Sequence, residues 1–214
     1  MMRVYLILTA ALGVTLFLAL GAWQVQRLAW KTALIAEVTA LVARDPVPAT
    51  QAGAAEYTPV TVEGRYDPRQ VLVKAVTEQG AGSWVMTPLV AGDWTVWVNR
   101  GFVPEGVTPP APPERASVTG LVRLSQPGGG FLRANDPAAG RWFSRDTAAL
   151  GAALDIPTVP WFLDAQSGGP LPVPGLTVVS FRNHHLVYAL TWFALAALLA
   201  GAAWWNLGRR PLAP

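Results

Sequence analysis

The sequence VYLILTAALGVTLFLALGAW, residues 4–23, contains no charged side chain, and neither does the sequence LVYALTWFALAALLAGAAWWNL, residues 186–207. An α-helix rises about 1.5 Å per residue, so each run extends about 30 Å and matches the hydrocarbon core of a bilayer. Tyrosine or tryptophan residues lie near the ends of both runs, as is typical of membrane interfaces. Two transmembrane helices are therefore predicted.

A cleaved signal peptide is the rival interpretation of the first run. Its apolar part is longer than the roughly 7–15 residues of a signal-peptide core, and only Ala19 and Gly21 resemble a cleavage motif. The sequence also lacks an Arg- and Ser-rich transit peptide, which favours a bacterial source. We expect the first run to remain as a membrane span.

The distribution of charge predicts the orientation in the membrane. The net charge of +3 comes entirely from Arg3, Arg209 and Arg210, because the other 13 basic residues equal the 13 acidic ones. Positive residues beside a span favour the cytoplasm. We expect a multi-pass protein of the bacterial inner membrane, with residues 24–185 in the periplasm. No basic cluster indicates nucleic-acid binding.

The region between the spans divides by composition. Residues 24–45 contain no Gly or Pro and repeat apolar side chains at helical spacing, so a juxtamembrane helix is predicted there. Residues 46–55 are rich in Pro, Ala and Gly and predict a linker. A periplasmic β-rich domain is predicted over residues 56–182, and a cytoplasmic tail over residues 208–214.

Short alternating segments predict the strands of this domain. They lie at residues 60–62, 71–73, 83–87, 94–98, 117–124, 160–164 and 176–180. Gly64 is expected to interrupt its strand, residues 88–93 to form a hairpin loop, and residues 147–154 to form a short helix. The regular spacing predicts a small antiparallel barrel or sandwich. The fold class is thus a membrane protein with two transmembrane α-helices that flank a β-rich extramembrane domain.

The residue inventory excludes several chemistries. The chain has no cysteine, which removes disulfides, thiolate metal sites and cysteine nucleophiles. Its two histidines are adjacent, so a multi-histidine metal site is not expected. No catalytic set of side chains and no phosphate-binding loop emerges. We therefore expect a protein that is not an enzyme.

The adjacent histidines lie where the chain enters the second span. A neutral imidazole there can bind a metal, or it can lie among lipid headgroups, which is the commoner case. On a helix His185, Tyr188 and Trp192 share one face, whereas His184 points about 100° away. Interfacial anchoring is the alternative role for Tyr188 and Trp192.

Cationic and aromatic side chains cluster just beyond the first span. Trp23, Arg27 and Trp30 lie at positions i, i+4 and i+7, and the amide Gln24 lies with Arg27 and Lys31 at i, i+3 and i+7. Arg182 precedes the second span. These cations can snorkel and so fix the depth of the helices. They can also bind an anionic group, such as a haem propionate above a histidine-ligated iron. Both interpretations remain open from the residues alone.

Five segments resemble a single family in their order along the chain. They are Gly21-x-Trp23-Gln24-x-x-Arg27-x-x-Trp30-Lys31, Val62-x-Gly64-Arg65-Tyr66, Gly82-x-Trp84-Val85-Met86-Thr87-Pro88-Leu89, Val98-Asn99-Arg100-Gly101-Phe102-Val103-Pro104 and Asn183-x-His185-Leu186-x-Tyr188-Ala189-x-Thr191-Trp192. Together with the two spans, they make the chain similar to the surfeit locus protein (Surf or Shy) family of cytochrome c oxidase assembly factors.

The resemblance implies a non-enzymatic factor that binds haem a and assists its insertion into a haem-copper oxidase. The family's histidine falls on His185, which becomes the expected haem ligand, and His184 stays a local alternative. Trp23 and Tyr188 would cover the haem, and Arg27, Lys31 or Arg182 would pair with its propionates. The expected partners are the oxidase catalytic subunit, the haem a synthase and the lipid bilayer.

Two other functions compete with haem handling. A scaffold without a cofactor would clasp an oxidase subunit through the β domain and the small residues of the second span, Ala189, Ala196, Ala200 and Ala203. A periplasmic sensor is disfavoured because the tail after Leu207 is short. The segment Asn99-Arg100-Gly101 also matches the family, and we interpret it as strand-end turn chemistry with a structural ion pair.

Overall fold

A computed structural model describes residues 2–51, 53–130, 133–176, 181 and 183–208. The chain forms two compact units. The first is helical and contains Met1–Glu37 and Ser180–Pro214. The second is rich in strands and contains Val38–Val179. The predicted strand at residues 176–180 lies outside the described residues except for Leu176, which is not in a strand.

The elements are named in chain order. They are α1 (Met2–Val42), β1 (Val47–Pro48), β2 (Pro59–Tyr66), β3 (Val71–Thr77), β4 (Gly80–Ala91), β5 (Trp94–Pro104), β6 (Arg115–Leu124), a 3₁₀ turn (Pro137–Ala139), α2 (Thr147–Leu154), β7 (Trp161–Ala165) and α3 (His185–Gly208). Helices α1 and α3 are long and apolar enough to cross a membrane. They flank a β-rich domain, which confirms the predicted fold class.

The two long helices pack on each other along one stripe of each. On α1, Ala10, Phe17, Gln24 and Lys31 recur every seven residues and are less exposed than their neighbours. On α3 the less exposed positions are three or four residues apart; they are His185, Ala189, Trp192, Ala196, Leu199, Ala203 and Leu207. A repeat of seven keeps one helical face turned toward a partner helix. The contacts of Gln24 with His185, Phe17 with Trp192 and Gly13 with Leu199 run in opposite directions along the two helices, so the helical unit is an antiparallel pair.

The strands of the second unit close into a five-stranded barrel. The ring order is β2, β6, β7, β5, β4 and back to β2, with β1 added beside β2 and β3 beside β4. All neighbours in the ring are antiparallel except β5 and β7, which are parallel. A closed ring with an odd number of strands cannot alternate in direction throughout. The predicted antiparallel barrel is therefore correct only with one parallel pair, within a Greek-key order.

The barrel has a core on each side of its wall. Inside, Val96 and Val98 of β5 pack with Leu163 of β7. Outside, Trp97 and Phe162, the alternate residues of the same strands, pack against Leu150 of α2 and neighbouring side chains. Strands β5 and β7 are therefore covered on both faces, and their sequences are apolar without alternation.

Three details of the strand prediction are corrected by the structure. Gly64 does not interrupt β2; it lies where β2 meets β4, and a side chain there would collide with the carbonyl oxygen of Val90. Residues 88–93 are not a loop, because Leu89 and Ala91 fill the barrel core and only residues 92–93 form the turn. Residues 46–55 contain the short strand β1. The helix predicted at residues 147–154 is confirmed as α2.

Candidate functional site

The expected haem ligand His185 is the first residue of α3 and contacts Gln24 of α1. Its Nδ1 lies 2.7 Å from the Oε1 atom of Gln24. A carboxamide oxygen only accepts hydrogen bonds, so Nδ1 carries the proton and donates it. In a neutral imidazole this leaves Nε2 with a free lone pair. The neighbouring His184 is exposed.

Further polar side chains lie near this contact, on α1 and in the segment just before α3. Gln24 is buried, with 9% of its surface exposed. The Nδ2 atom of Asn183 donates to Oγ1 of Thr32 at 3.5 Å. The Oδ1 atom of Asn183 is buried and has no hydrogen-bond partner in the part of the chain that the structure describes. The site therefore offers an unused acceptor two residues before the histidine.

Aromatic side chains line the next layer of the helix pair. Trp192 stacks on Phe17 of α1, with ring centroids 5.6 Å apart. Tyr188 is 55% exposed, because it lies about 60° around α3 from His185 and away from the stripe that packs on α1. The structure thus brings His185 and Trp192 to α1, whereas Tyr188 faces outward.

The cations of the first helix lie one and two turns beyond Gln24. The guanidinium carbon of Arg27 is 4.7 Å from the ring centre of Trp30 and 5.9 Å from that of Trp23. The Nζ atom of Lys31 is 5.4 Å from the ring centre of Phe181. Neither cation forms an ion pair among the described residues. Both are therefore available to an anionic ligand, whereas Arg182 lies outside the described residues.

The side chains of this site fit a metal that is held mostly by the ligands of its own cofactor. Within the described ranges, no three His, Asp or Glu side chains lie close enough to hold a metal ion. A lone imidazole suits haem, because the porphyrin would supply most of the ligands of the iron and His185 would add one from the protein. Haem propionates need cationic partners, and the cations Arg27 and Lys31 lie one and two turns beyond Gln24.

A second polar cluster lies in the barrel wall. The carboxylate of Asp164 on β7 is 2% exposed and accepts a 2.7 Å hydrogen bond from Nδ2 of Asn99 on β5. Arg145 and Arg123 lie 3.3 and 3.5 Å from its two oxygens. Two guanidinium groups and an amide compensate the buried charge. This cluster joins β5, β6 and β7 to the segment before α2 and so stabilises the barrel.

Asn99 shows the expected turn chemistry, because its Oδ1 atom accepts a hydrogen bond from the backbone N–H of Gly101, but the strand-end position and the ion pair of Arg100 are corrected by the structure. Strand β5 continues to Pro104, and its register with β4 shifts just after Asn99, so the segment forms a bulge inside the strand. Gly101 has a φ angle of 131°, which a side chain rarely allows. Arg100 donates to Oε1 of Gln70 and to the carbonyl of Pro110, at 2.9 and 3.0 Å, where an ion pair was expected.

Gln24 was expected to lie near Arg27 and Lys31, but its contact with His185 was not predicted. Gln24 stands in the first family-like segment and in the seven-residue repeat of α1, so two signals were present. Neither signal shows what a glutamine contacts, because its partner lies 161 residues further along the chain. The role of Asp164 was missed because a single acidic residue at the end of an apolar strand has no distinctive pattern.

Comparison with known proteins places the chain in a family. The model of the SURF1 family matches residues 11–197. Surfeit locus protein 1 of Xenopus tropicalis is 34% identical over 84% of this chain and 68% of its own length, and that of Homo sapiens is 35% identical over 83% and 69%. A SURF1-like protein of Monosiga brevicollis is 32% identical over 89% of this chain and 83% of its own. With the two apolar helices around a β domain, these matches show that the chain belongs to the SURF1 family.

Proposed function

We propose that this protein is a non-enzymatic assembly factor for a haem-copper cytochrome c oxidase, which binds haem a and assists its insertion into the catalytic subunit. Membership of the SURF1 family supports the assembly role. The contact between His185 and Gln24 carries the haem assignment, because it leaves one ring nitrogen of His185 free for a metal. The haem a synthase and the oxidase catalytic subunit are the proposed partners.

Different residues of the chain would hold different parts of the cofactor. Nε2 of His185 would coordinate the iron, Arg27 and Lys31 would neutralise the propionates, and Trp192 would border the apolar part of the site. Bound haem a supplies the redox-active iron that the oxidase needs. A single protein ligand and cations that remain near water favour moderate affinity. A factor that must release its cargo requires such affinity.

The membrane arrangement is part of the proposal. Two spanning helices and a β domain on the periplasmic side of a bacterial inner membrane would place His185 at the level of the interface, because it begins α3. Haem a could then pass between membrane proteins without crossing bulk water. The cytoplasmic termini would carry the excess positive charge.

The ligand assignment is tested by paired histidine variants. Full-length protein is purified in detergent from cells that make haem a, and the Soret band is recorded for the wild type, His185→Ala and His184→Ala. We expect His185→Ala to lose most of the Soret absorbance and His184→Ala, an exposed neighbour, to retain it. A full Soret band with an unchanged spectrum in His185→Ala would exclude His185 as the ligand.

A scaffold without a cofactor is the second candidate. It predicts that oxidase subunits copurify with the protein and that no Soret band appears. Two of the four small residues expected to clasp an oxidase subunit, Ala189 and Ala196, are buried on the stripe of α3 that packs on α1. They are therefore used within the helix pair, which weakens the reason for preferring a scaffold.

A further inference from the structure

We propose that Gln24 is a positioning residue for the metal ligand. Its carboxamide oxygen holds His185 in the Nδ1–H tautomer and so presents Nε2 to the iron. This inference rests on the proposed function, because it assigns a role to Gln24 in the same haem site. It concerns a side chain on α1 that acts only through its contact with a side chain on α3.

The protonation pattern follows from the geometry of the contact. The 2.7 Å separation of Nδ1 and Oε1 is a short hydrogen bond, and the oxygen has no proton to give. Histidine ligands in metal sites commonly donate their second ring N–H to a carboxylate or carbonyl oxygen. That bond fixes the tautomer and the ring orientation before the metal binds. Gln24 supplies such an oxygen.

Packing of the helices holds Gln24 in place. It lies in the middle of the uninterrupted helix α1 and is buried, whereas Gln26, two residues further along, is exposed. One turn earlier, Gly21 leaves room for the ring of Phe193, because an added Cβ would lie 2.5 Å from that ring. One turn beyond that, Phe17 stacks on Trp192. Close packing of α1 on α3 therefore sets the distance between Gln24 and His185.

The choice of a neutral amide has a chemical consequence. A carboxylate partner would give the imidazole more anionic character and a stronger bond to iron. A carboxamide orients the ring with less effect on its donor strength. This suits a site that holds haem and then releases it. Removal of an outer partner of this kind weakens metal binding by about 10–100-fold.

The first test reads the tautomer directly in protein without haem. The chain has only two histidines, so ¹⁵N-histidine labelling of the full chain in detergent gives two imidazole rings, which His184→Ala assigns. We expect His185 to be protonated at Nδ1 in the wild type and in the control Gln26→Met. In Gln24→Met, which has a similar shape and no acceptor oxygen, that preference should disappear. A retained Nδ1–H tautomer in Gln24→Met would overturn the inference.

The second test measures binding of haem a to the same variants. We expect Gln24→Met to raise the Kd by about 10–100-fold, Gln24→Glu, which keeps an acceptor oxygen, to bind at least as well as the wild type, and Gln26→Met to match it. If His185→Ala loses haem while Gln24→Met binds normally, the role of Gln24 is refuted and the proposed function stands. If His185→Ala binds haem normally, the haem site itself is refuted, whatever the tautomer in the first test.

Discussion

Asn99 and Asp164 face each other across the single parallel strand pair of the barrel, and the Nδ2 atom of Asn99 donates a 2.7 Å hydrogen bond to Oδ1 of Asp164. The Oδ1 atom of Asn99 also accepts a hydrogen bond from the backbone N–H of Gly101. One amide therefore joins β5 to β7 and fixes the bulge that follows it. This contact lies between β5 and β7, the parallel pair that a closed ring of five strands cannot avoid.

Replacing Asn99 by Leu should destabilise the β domain. The substitution removes one partner from a carboxylate that is 2% exposed and leaves the N–H of Gly101 without its acceptor. Lost bonds of this kind cost about 2–3 kcal/mol together. Chemical unfolding of the full chain in detergent measures the loss. A double-mutant cycle with Asp164→Asn should give a clear coupling energy, and additive effects would contradict direct pairing.

Arg145→Met and Arg141→Met form a matched pair that separates buried from exposed ion pairs. The side chain of Arg145 is 14% exposed and contacts Asp164, so its loss leaves a buried carboxylate with less compensation and should cost roughly 3 kcal/mol. The side chain of Arg141 is 66% exposed and pairs with Asp136, so water and salt screen that pair. The midpoint temperature of thermal unfolding should fall clearly for Arg145→Met and stay unchanged for Arg141→Met. Equal falls in the midpoint temperature of the two variants would contradict the difference between the buried and the exposed ion pair.

Gly21→Leu should disturb the helix pair. The new side chain would meet the ring of Phe193, whereas a Cβ added at Gly201 meets no atom within 4 Å, so Gly201→Leu is the control. We expect Gly21→Leu to change the ¹⁵N signals of the His185 ring, because it separates α1 from α3 one turn away from Gln24. Unchanged signals in Gly21→Leu would show that this close approach does not set the contact.

The proposed orientation predicts the labelling of single cysteines. The natural chain has none, so Glu78→Cys in the exposed turn after β3 and Arg3→Cys near the amino terminus each create a unique thiol. In intact cells with a permeable outer membrane, an impermeant maleimide should label Glu78→Cys. It should label Arg3→Cys only after the inner membrane is opened. The reverse pattern would place the β domain in the cytoplasm.

Tyr66 should cause the stability of the β domain to fall at alkaline pH. Burial raises the pKa of Tyr66 to about 12, although the nearby Arg100 guanidinium lowers it. The unfolded chain releases this proton near pH 10, so the stability from Tyr66 is fully present below that pH and is lost as pH rises toward 12. The loss amounts to about 2–3 kcal/mol. Tyr66→Phe should flatten the decline between pH 10 and 12, and an equally steep decline would contradict this origin.

Local sequence patterns were sufficient for the helices and for most strands. Two uncharged runs about as long as the hydrocarbon core of a bilayer is thick predict α1 and α3, and the helix at residues 147–154 follows from helix-forming residues between Asp146 and Asp155, its caps. Strand ends were less predictable. Pro88 looked like a loop residue, yet β4 continues through it because Leu89 and Ala91 fill the barrel core.

The sequence by itself determined the two apolar helices, the β-rich domain between them and the resemblance to the family. Each of these depends on spacing within a short segment or on the order of segments. Only the tertiary structure decided that Gln24 meets His185, that Tyr188 faces outward, and that Asn99 pairs with Asp164 across a parallel seam. The physical reason is distance along the chain. A contact between residues separated by 65 or 161 positions depends on how helices and strands pack, which no local pattern records.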